Sequence, residues 1–263
     1  MIKPAAPQPR IALEVVTDTA AGVRAAVAGG ADRIELVSAL GIGGVTPSPG
    51  LTRMAVETGC PIRVMIRPRG GDFTYDTDEI DLMCHDIAAA REAGAAGVVF
   101  GANQISGAFD EEALRVLCAE AAGWGLETAL HRSFDLTPDP DEALDIAIEL
   151  GVATILTSGG AKTAREGVAG LKRLMTRAAG RIEILAGIGV TADNVTDIVA
   201  LSGVRSVHTS CSALVAAADG DDDRTWLINR LRAGQAITSA NAVTTMRNTL
   251  NSIDYVFGEG GRA

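Results

Sequence analysis

Eight short apolar runs, rich in β-branched residues, recur along the chain with longer mixed segments between them. A short apolar run bounded by glycine or polar residues is typical of a strand that is buried on both faces. Strands of that kind occur in parallel sheets covered by helices, so this pattern restricts the fold more than any other feature. The predicted strands are residues 11–16, 33–37, 62–67, 97–100, 126–130, 154–157, 182–186 and 206–208.

The segments between the runs have helical periodicity. In residues 78–93, Ile80, Met83 and Ile87 fall on one face, as in a helix packed on a core. Strands that alternate with helices predict parallel pairing through right-handed crossovers. Eight such units predict an α/β fold, a single (β/α)8 TIM-like barrel with parallel strands. An open doubly wound sheet is the alternative, although no G-x-G-x-x-G follows the first run, which disfavours its dinucleotide-binding form.

A length of 263 residues suits one large barrel domain. We predict a disordered tail over residues 1–10, the barrel over residues 11–257 and a frayed tail over residues 258–263. Residues 218–224 carry four aspartates and are predicted to form a solvated loop, with the last helix over residues 241–250. Thr77 or Asp78 is predicted to cap the helix over residues 78–93.

Composition excludes several classes of partner. The net charge is −10 and no run of Lys and Arg forms a basic stripe, so nucleic acid and anionic membranes are not expected as partners. No apolar stretch is long enough to span a membrane, and no secretion signal precedes the first run. We therefore expect a cytoplasmic protein.

The cysteines indicate neither a zinc site nor a disulfide framework. They occur at positions 60, 84, 118 and 211 without C-x-x-C spacing. Cys84 and Cys118 fall on apolar helical faces, which predicts packing roles. Cys60 precedes the third run, so only Cys211 is expected near the ends of the strands where function is located.

Carboxylates inside two predicted strands are the most informative polar residues. Glu14 and Glu35 each lie between apolar neighbours, and a buried ionised carboxylate is costly unless it is paired. Arg67, on the third predicted strand, is the expected partner, so we predict a buried Glu35–Arg67 pair. The two glutamates are equally compatible with a structural ion pair and with a catalytic or metal-binding site.

Further polar residues follow the predicted strands, where barrel chemistry is located. His131 follows the fifth strand and is a candidate acid or base; with Glu14, Glu35 and Arg67 it forms the predicted catalytic set. Glycine turns after strands six and seven can present backbone N–H groups to a phosphate or carboxylate. The predicted anion-binding residues are Arg69, Ser158, Gly159, Gly187 and Gly189.

Several motifs together resemble the CutC family over roughly residues 11–212. The most specific is MIRPRGGDF at residues 65–73, and its order relative to the other motifs leaves little room for chance. The others are ADRIEL at 31–36, TPS at 46–48, GVVFG at 97–101, HRSFD at 131–135, ILTSG at 155–159, and His208.

The resemblance implies a TIM-like barrel, a cytoplasmic location, a homo-oligomer (dimer or tetramer) and a role in copper homeostasis with copper bound by the protein. Members often carry Cys at two positions where this chain has Val16 and Val37. The predicted metal residues are therefore His208 and Cys211, and one thiolate predicts weak Cu(I) binding.

Two functions remain open from the sequence. One is copper handling, which the resemblance implies. The other is a TIM-barrel enzyme, of lyase or isomerase type, that acts on a small anionic or phosphorylated substrate by carboxylate and histidine acid–base chemistry. A binding scaffold without catalysis is a third interpretation, but it has no need of ionisable groups that converge from separate strands.

Overall fold

In a computed structural model, eight parallel strands close into a barrel in sequence order, with β8 hydrogen-bonded to β1. The structure describes residues 10–220, 222–232 and 236–253. The barrel strands are β1 (Ala12–Thr17), β2 (Arg33–Leu36), β3 (Ile62–Met65), β4 (Gly97–Phe100), β5 (Glu127–Leu130), β6 (Thr154–Thr157), β7 (Glu183–Ala186) and β8 (Ser206–Thr209).

A helix follows each of the first seven strands. These helices are α1 (Ala20–Gly29), α2 (Pro49–Val56), α3 (Thr77–Glu92), α4 (Glu111–Gly123), α5 (Pro140–Glu149), α6 (Val168–Ala178) and α7 (Val195–Ser202). Each predicted strand is present, and the α/β class with one (β/α)8 TIM-like barrel of parallel strands is confirmed. The predicted tails at residues 1–9 and 254–263 lie outside the described part of the chain.

After β8 the alternation becomes less regular. A two-stranded antiparallel ribbon pairs β9 (Ser212–Leu214) with β10 (Ala236–Thr238), and α8 (Asp223–Arg232) lies between them in the chain. The predicted loop over residues 218–224 was therefore wrong at its end, since a helix begins at Asp223. The Asp222 side chain accepts a hydrogen bond from the Thr225 backbone N–H at 2.6 Å, which is how aspartate caps a helix.

Helix α9 (Ala240–Asn251) contains the predicted last helix and packs against α1. Its Arg247 is buried and donates to the Asp32 carboxylate at 2.7 Å and to the Ile11 carbonyl at 3.0 Å. These bonds attach the C-terminal helix to the N-terminal end of β1. None of the helices in the described ranges is long and apolar enough to cross a membrane.

The predicted cap of the third helix was wrong by a residue or two. Asp76 is the N-cap of α3, and it forms a capping box with Glu79, in which each side chain accepts from the other's backbone N–H. This reciprocal bonding stabilises a helix start at Thr77. Residues at the two ends of a helix are the least certain part of any assignment from sequence.

Two clusters of apolar side chains pack against the strands, one on the outer face of the barrel and one in its interior. The larger lies between the barrel and its helices, while a small cluster fills the barrel interior with Val16, Val37, Met65, Val99 and Ala129. These five residues come from β1 to β5 or directly follow them, so they form a floor beneath the open C-terminal end. Val16 and Val37 lie in this floor and are almost completely buried.

Candidate active site

The C-terminal end of the barrel holds a cavity of about 1360 Å³. Its apolar lining includes Val16 and Met65 from the interior cluster. Polar side chains from separate strands and loops line the same cavity: Asp18, Glu35, Arg67, His131, Arg132, His208 and Cys211. A cavity with an apolar floor and a few converging polar groups is typical of a small-molecule site.

Glu14 lies beneath this cavity and is 1% exposed. It stands opposite His208 in the β1–β8 register, and its Oε1 lies 2.8 Å from His208 Nδ1. Its Oε2 accepts from Arg33 Nε at 2.5 Å and from Arg63 at 3.2 Å. Burial alone raises the pKa of Glu14, but the His208 hydrogen bond and the two guanidinium charges outweigh it and hold that pKa far below its ordinary value. Glu14 is therefore an ionised carboxylate at neutral pH.

The two arginines connect Glu14 to residues at the N-terminal ends of β6 and β7. Arg33 also binds Glu183 at 2.8 Å, and Arg63 donates to Thr154 Oγ1 at 2.9 Å. Thr154 Oγ1 in turn donates to Glu183 at 2.8 Å. Neither arginine was singled out from the sequence, although Arg63 lies between the apolar residues of a strand, the same signal that identified Glu35.

Glu35 is a buried carboxyl group that lines the cavity. It is 3% exposed, its Oε2 lies 3.6 Å from His208 Nε2, and its Oε1 has no hydrogen-bond partner among the described residues. Burial raises the pKa of Glu35 to about 7, and the negative charge of Glu14 adds to this while the His208 charge opposes it. Burial lowers the pKa of His208, but Glu35 and Glu14 outweigh that effect and raise it. Glu35 therefore exchanges its proton near neutral pH, and the protonated form of His208 is favoured beside it.

The predicted Glu35–Arg67 pair was wrong. Strand β3 ends at Met65, so Arg67 has already left the sheet, whereas Arg63 is the residue that lies in register with Glu35. The Arg67 guanidinium donates instead to the carbonyls of Ile42, Gly44 and Gly71, at 3.1, 2.9 and 2.6 Å. Within the described ranges no carboxylate forms an ion pair with Arg67.

His131 is neutral in this environment. Its Nδ1 accepts from the Ser133 backbone N–H at 3.1 Å, so the proton of the neutral ring is on Nε2. Burial, with the nearby Arg67 charge, lowers the pKa of His131 to about 3. The Phe73 ring packs against the imidazole, with centroids 4.5 Å apart. Gly101 allows this arrangement, because a Cβ there would collide with His131 and Ser133.

The predicted glycine turn after strand six already binds a carboxylate of the chain itself. Asp135 accepts from the Thr157 hydroxyl at 2.5 Å and from the Ser158 backbone N–H at 3.1 Å. Gly159 packs against the Gly167 carbonyl. Ser158 and Gly159 do not line the cavity.

The remaining predicted anion-binding residues are divided between the cavity and the surface. Gly189 lines the cavity, and Gly187 approaches it, because a Cβ on Gly187 would lie 3.4 Å from His208 Cβ. Arg69 does not line the cavity, since its guanidinium binds Glu79 at 2.5 Å and Asp72 at 3.2 Å. The sequence analysis assigned both Arg67 and Arg69 to the site, but of the two only Arg67 lines the cavity.

A group of carboxylate and histidine atoms is close enough to hold a metal ion. Among the described residues it consists of Glu14, Glu35 and His208, whose ligand atoms lie within 4.8 Å of one another. Cys211 lines the cavity but is not in this group, and burial raises the pKa of its thiol. The donor set is two carboxylates and an imidazole with two arginines against it, which does not fit Cu(I), an ion that selects soft sulfur ligands.

The raised pKa of Glu35 predicts a pH-dependent stability cost. The unfolded chain loses this proton near pH 4.5 and the folded chain near pH 7, so the folded state loses stability as pH rises through that window. Glu35→Gln removes the cost. We compare the free energies of unfolding of the variant and the wild type by denaturant titration at pH 5 and at pH 8. Between these two pH values, the difference should change in favour of the variant by roughly 1–3 kcal/mol.

Glu149→Gln is the control, because Glu149 is exposed on α5. It leaves Glu35 unchanged, so it should not reproduce the gain expected of Glu35→Gln. A stability difference for Glu35→Gln that is the same at pH 5 and pH 8 would contradict the raised pKa.

Comparison with known proteins agrees with the resemblance. A family model described as the CutC family matches residues 11–213. CutC family proteins from Rhizobium meliloti (strain 1021) and Caulobacter vibrioides (strain NA1000 / CB15N) are 53% and 49% identical, each over 210 residues that make up 80% of this chain and 85% of the relative. A CutC crystal structure from Streptococcus agalactiae, provisionally described as a copper homeostasis protein, matches with a TM-score of 0.72 at 33% identity and covers 76% of this chain and 98% of that one. The resemblance is confirmed, and this chain belongs to the CutC family.

Proposed function

We propose that this protein is an enzyme, of lyase or isomerase type, that transfers protons on a small anionic substrate in the barrel mouth. The observation that carries this proposal is the position of Glu35. Its buried carboxyl group lines the cavity, and one of its oxygens has no partner in the described part of the chain; beside it lies a histidine that Glu14 holds in place. A scaffold has no use for such a group, because an unpaired buried carboxyl destabilises the fold.

The protonation states of Glu14, Glu35 and His208 determine the role of each side chain. Glu14 stays ionised and orients His208 through Nδ1, which leaves Nε2 directed at Glu35. Glu35, with a pKa of about 7, is matched to proton transfer near neutral pH, where a general base is most effective. Its carboxylate takes a proton from a carbon next to a carbonyl group; the C–H electron pair forms the C=C bond of an enolate, and the carbonyl π pair moves to the oxygen. In a 2-hydroxy ketone or aldehyde, return of the proton to the former carbonyl carbon, with transfer of the hydroxyl proton to the other oxygen, is an isomerisation. Loss of a leaving group from the next carbon, with its bonding pair and a proton from His208, is a lyase reaction.

Proton exchange is a direct test, since it needs no knowledge of the product. A panel of small 2-oxo acids and phosphorylated ketoses is incubated in D2O and followed by proton NMR. We expect loss of the signal of a C–H next to the carbonyl for at least one compound, at a rate that rises with pH through about 7. Glu35→Gln should lower that rate by about 100-fold or more.

Glu149→Gln is again the matched control and should exchange at the wild-type rate. Exchange that survives Glu35→Gln would rule out Glu35 as the base. A panel without any exchange would count against this class of substrate.

Copper handling is the second candidate, because the Streptococcus agalactiae relative carries a copper homeostasis description. The side chains available for it here are Cys211 and His208, which line one cavity. Cys84 and Cys118 lie on helices α3 and α4, and Cys60 precedes β3, so none of them is at the mouth. A cytoplasmic location and a homo-oligomer, dimer or tetramer, belong to both candidate functions and stay predictions.

Competitive Cu(I) titration against a strong chelator tests this candidate. We expect weak binding to the wild type, and weaker binding still to Cys211→Ser, because a single thiolate is a poor basis for Cu(I) affinity. Tight binding of one equivalent to both proteins would show that our interpretation of the cysteines is wrong.

A further inference from the structure

Arg67 is a buried cation that has no counter-ion among the residues the structure describes. It is 4% exposed and lines the cavity; its guanidinium donates to three backbone carbonyls and also interacts with the neutral Tyr75 hydroxyl. Its Nε–H has no acceptor among the described residues. A buried charge of this kind is costly unless an opposite charge accompanies it, so the arrangement is suited to a protein that binds an anion at this point.

His131 lines the same cavity and has a second unused donor. It is also 4% exposed, and its Nε2 has no partner among the described residues. Because Nδ1 already accepts from Ser133, Nε2–H is the donor of the neutral ring. The Arg67 charge also disfavours protonation of this ring, which shows that the two groups interact electrostatically.

Phe73 connects these two side chains. Its ring lies 4.5 Å from the His131 ring centroid and 4.9 Å from the centre of the Arg67 guanidinium, and it lines the cavity. An aromatic wall against both donors keeps water away from them, and a hydrogen bond to an anion is stronger in such a low-dielectric environment.

We infer that Arg67 and His131 form an oxyanion subsite that binds a flat carboxylate or enolate group of the substrate. Two N–H donors on separate side chains match the two oxygens of a planar carboxylate, whereas a phosphate presents more oxygens than they can satisfy. This inference rests on the proposed function and adds a substrate class to it: a small 2-oxo or 2-hydroxy acid. The enolate oxygen formed when Glu35 removes the proton would receive the Arg67 charge and the His131 hydrogen bond, the type of stabilisation that lowers such barriers most.

Binding of oxalate tests the subsite without turnover, since oxalate resembles the flat enolate of a 2-oxo acid. Isothermal titration should detect oxalate binding to the wild type and weaker binding of inorganic phosphate. Arg67→Gln and His131→Asn should each weaken oxalate at least tenfold. The His131→Asn change retains an acceptor for the Ser133 N–H but removes the Nε2 donor and the ring that packs on Phe73. Thermal unfolding of the variant measures the cost of the lost packing, so a weakened affinity in a folded variant is separated from local unfolding.

Arg67→Lys provides a further variant in case Arg67→Gln does not fold, because it keeps the charge and loses the Nε–H donor. It should also bind oxalate more weakly than the wild type. Arg53→Gln, an exposed position on α2, is the control and should bind as the wild type does.

Three results would overturn the subsite: no oxalate binding to the wild type, wild-type affinity in His131→Asn, or loss of binding in Arg69→Gln with Arg67→Lys unaffected. The proposed function is tested separately, because oxalate binding does not require Glu35 and should persist in Glu35→Gln. Proton exchange that depends on Glu35, without oxalate binding that depends on Arg67 and His131, would contradict the subsite and leave the proposed function standing. Oxalate binding that depends on Arg67 and His131, without proton exchange that depends on Glu35, would support the subsite and contradict the proposed reaction.

Discussion

An ionised carboxylate inside the barrel is the interaction on which the mouth depends. Glu14 is almost fully buried, and only the charges of Arg33 and Arg63 together with the His208 hydrogen bond make that burial tolerable. The same contacts fix the orientation of the His208 ring, and they place a permanent negative charge next to Glu35. That charge and burial set the proton affinity of Glu35, a buried carboxyl group that lines the cavity.

The mouth therefore consists of two electrically different halves. On the β1, β2 and β8 side, Glu35 exchanges a proton near neutral pH beside His208, whose pKa the two glutamates raise. Arg67 and His131, which follow β3 and β5, are a fixed cation and a neutral donor whose Nε and Nε2 atoms have no protein acceptor in the described residues. When a base removes a proton from a carbon, negative charge develops on the substrate. Glu35 and His208 can transfer the proton. Arg67 and His131 can stabilise the negative charge, so the mouth has both parts that such a reaction needs.

The sequence predicted the barrel and most residues of the mouth, because strand periodicity and buried charges are local signals. It did not predict which charges meet. The Arg63 side chain, rather than that of Arg67, reaches the buried carboxylate of Glu14, and this depends on where β3 ends. The turn at Ser158 and Gly159 has the composition of an anion site, but the Asp135 carboxylate, distant in sequence, already binds there. Such competition between side chains is visible only in three dimensions.

The central claim is that the Glu35 carboxyl group changes its protonation near neutral pH while Glu14 stays ionised. Carbon-13 NMR of protein labelled at the glutamate side-chain carboxyl groups measures this directly, with Glu35→Gln to assign the resonance. The account predicts a midpoint of about 7 for Glu35 and no titration of Glu14 over the pH range in which the protein is folded. A Glu35 midpoint near the ordinary value of 4.5 would contradict it.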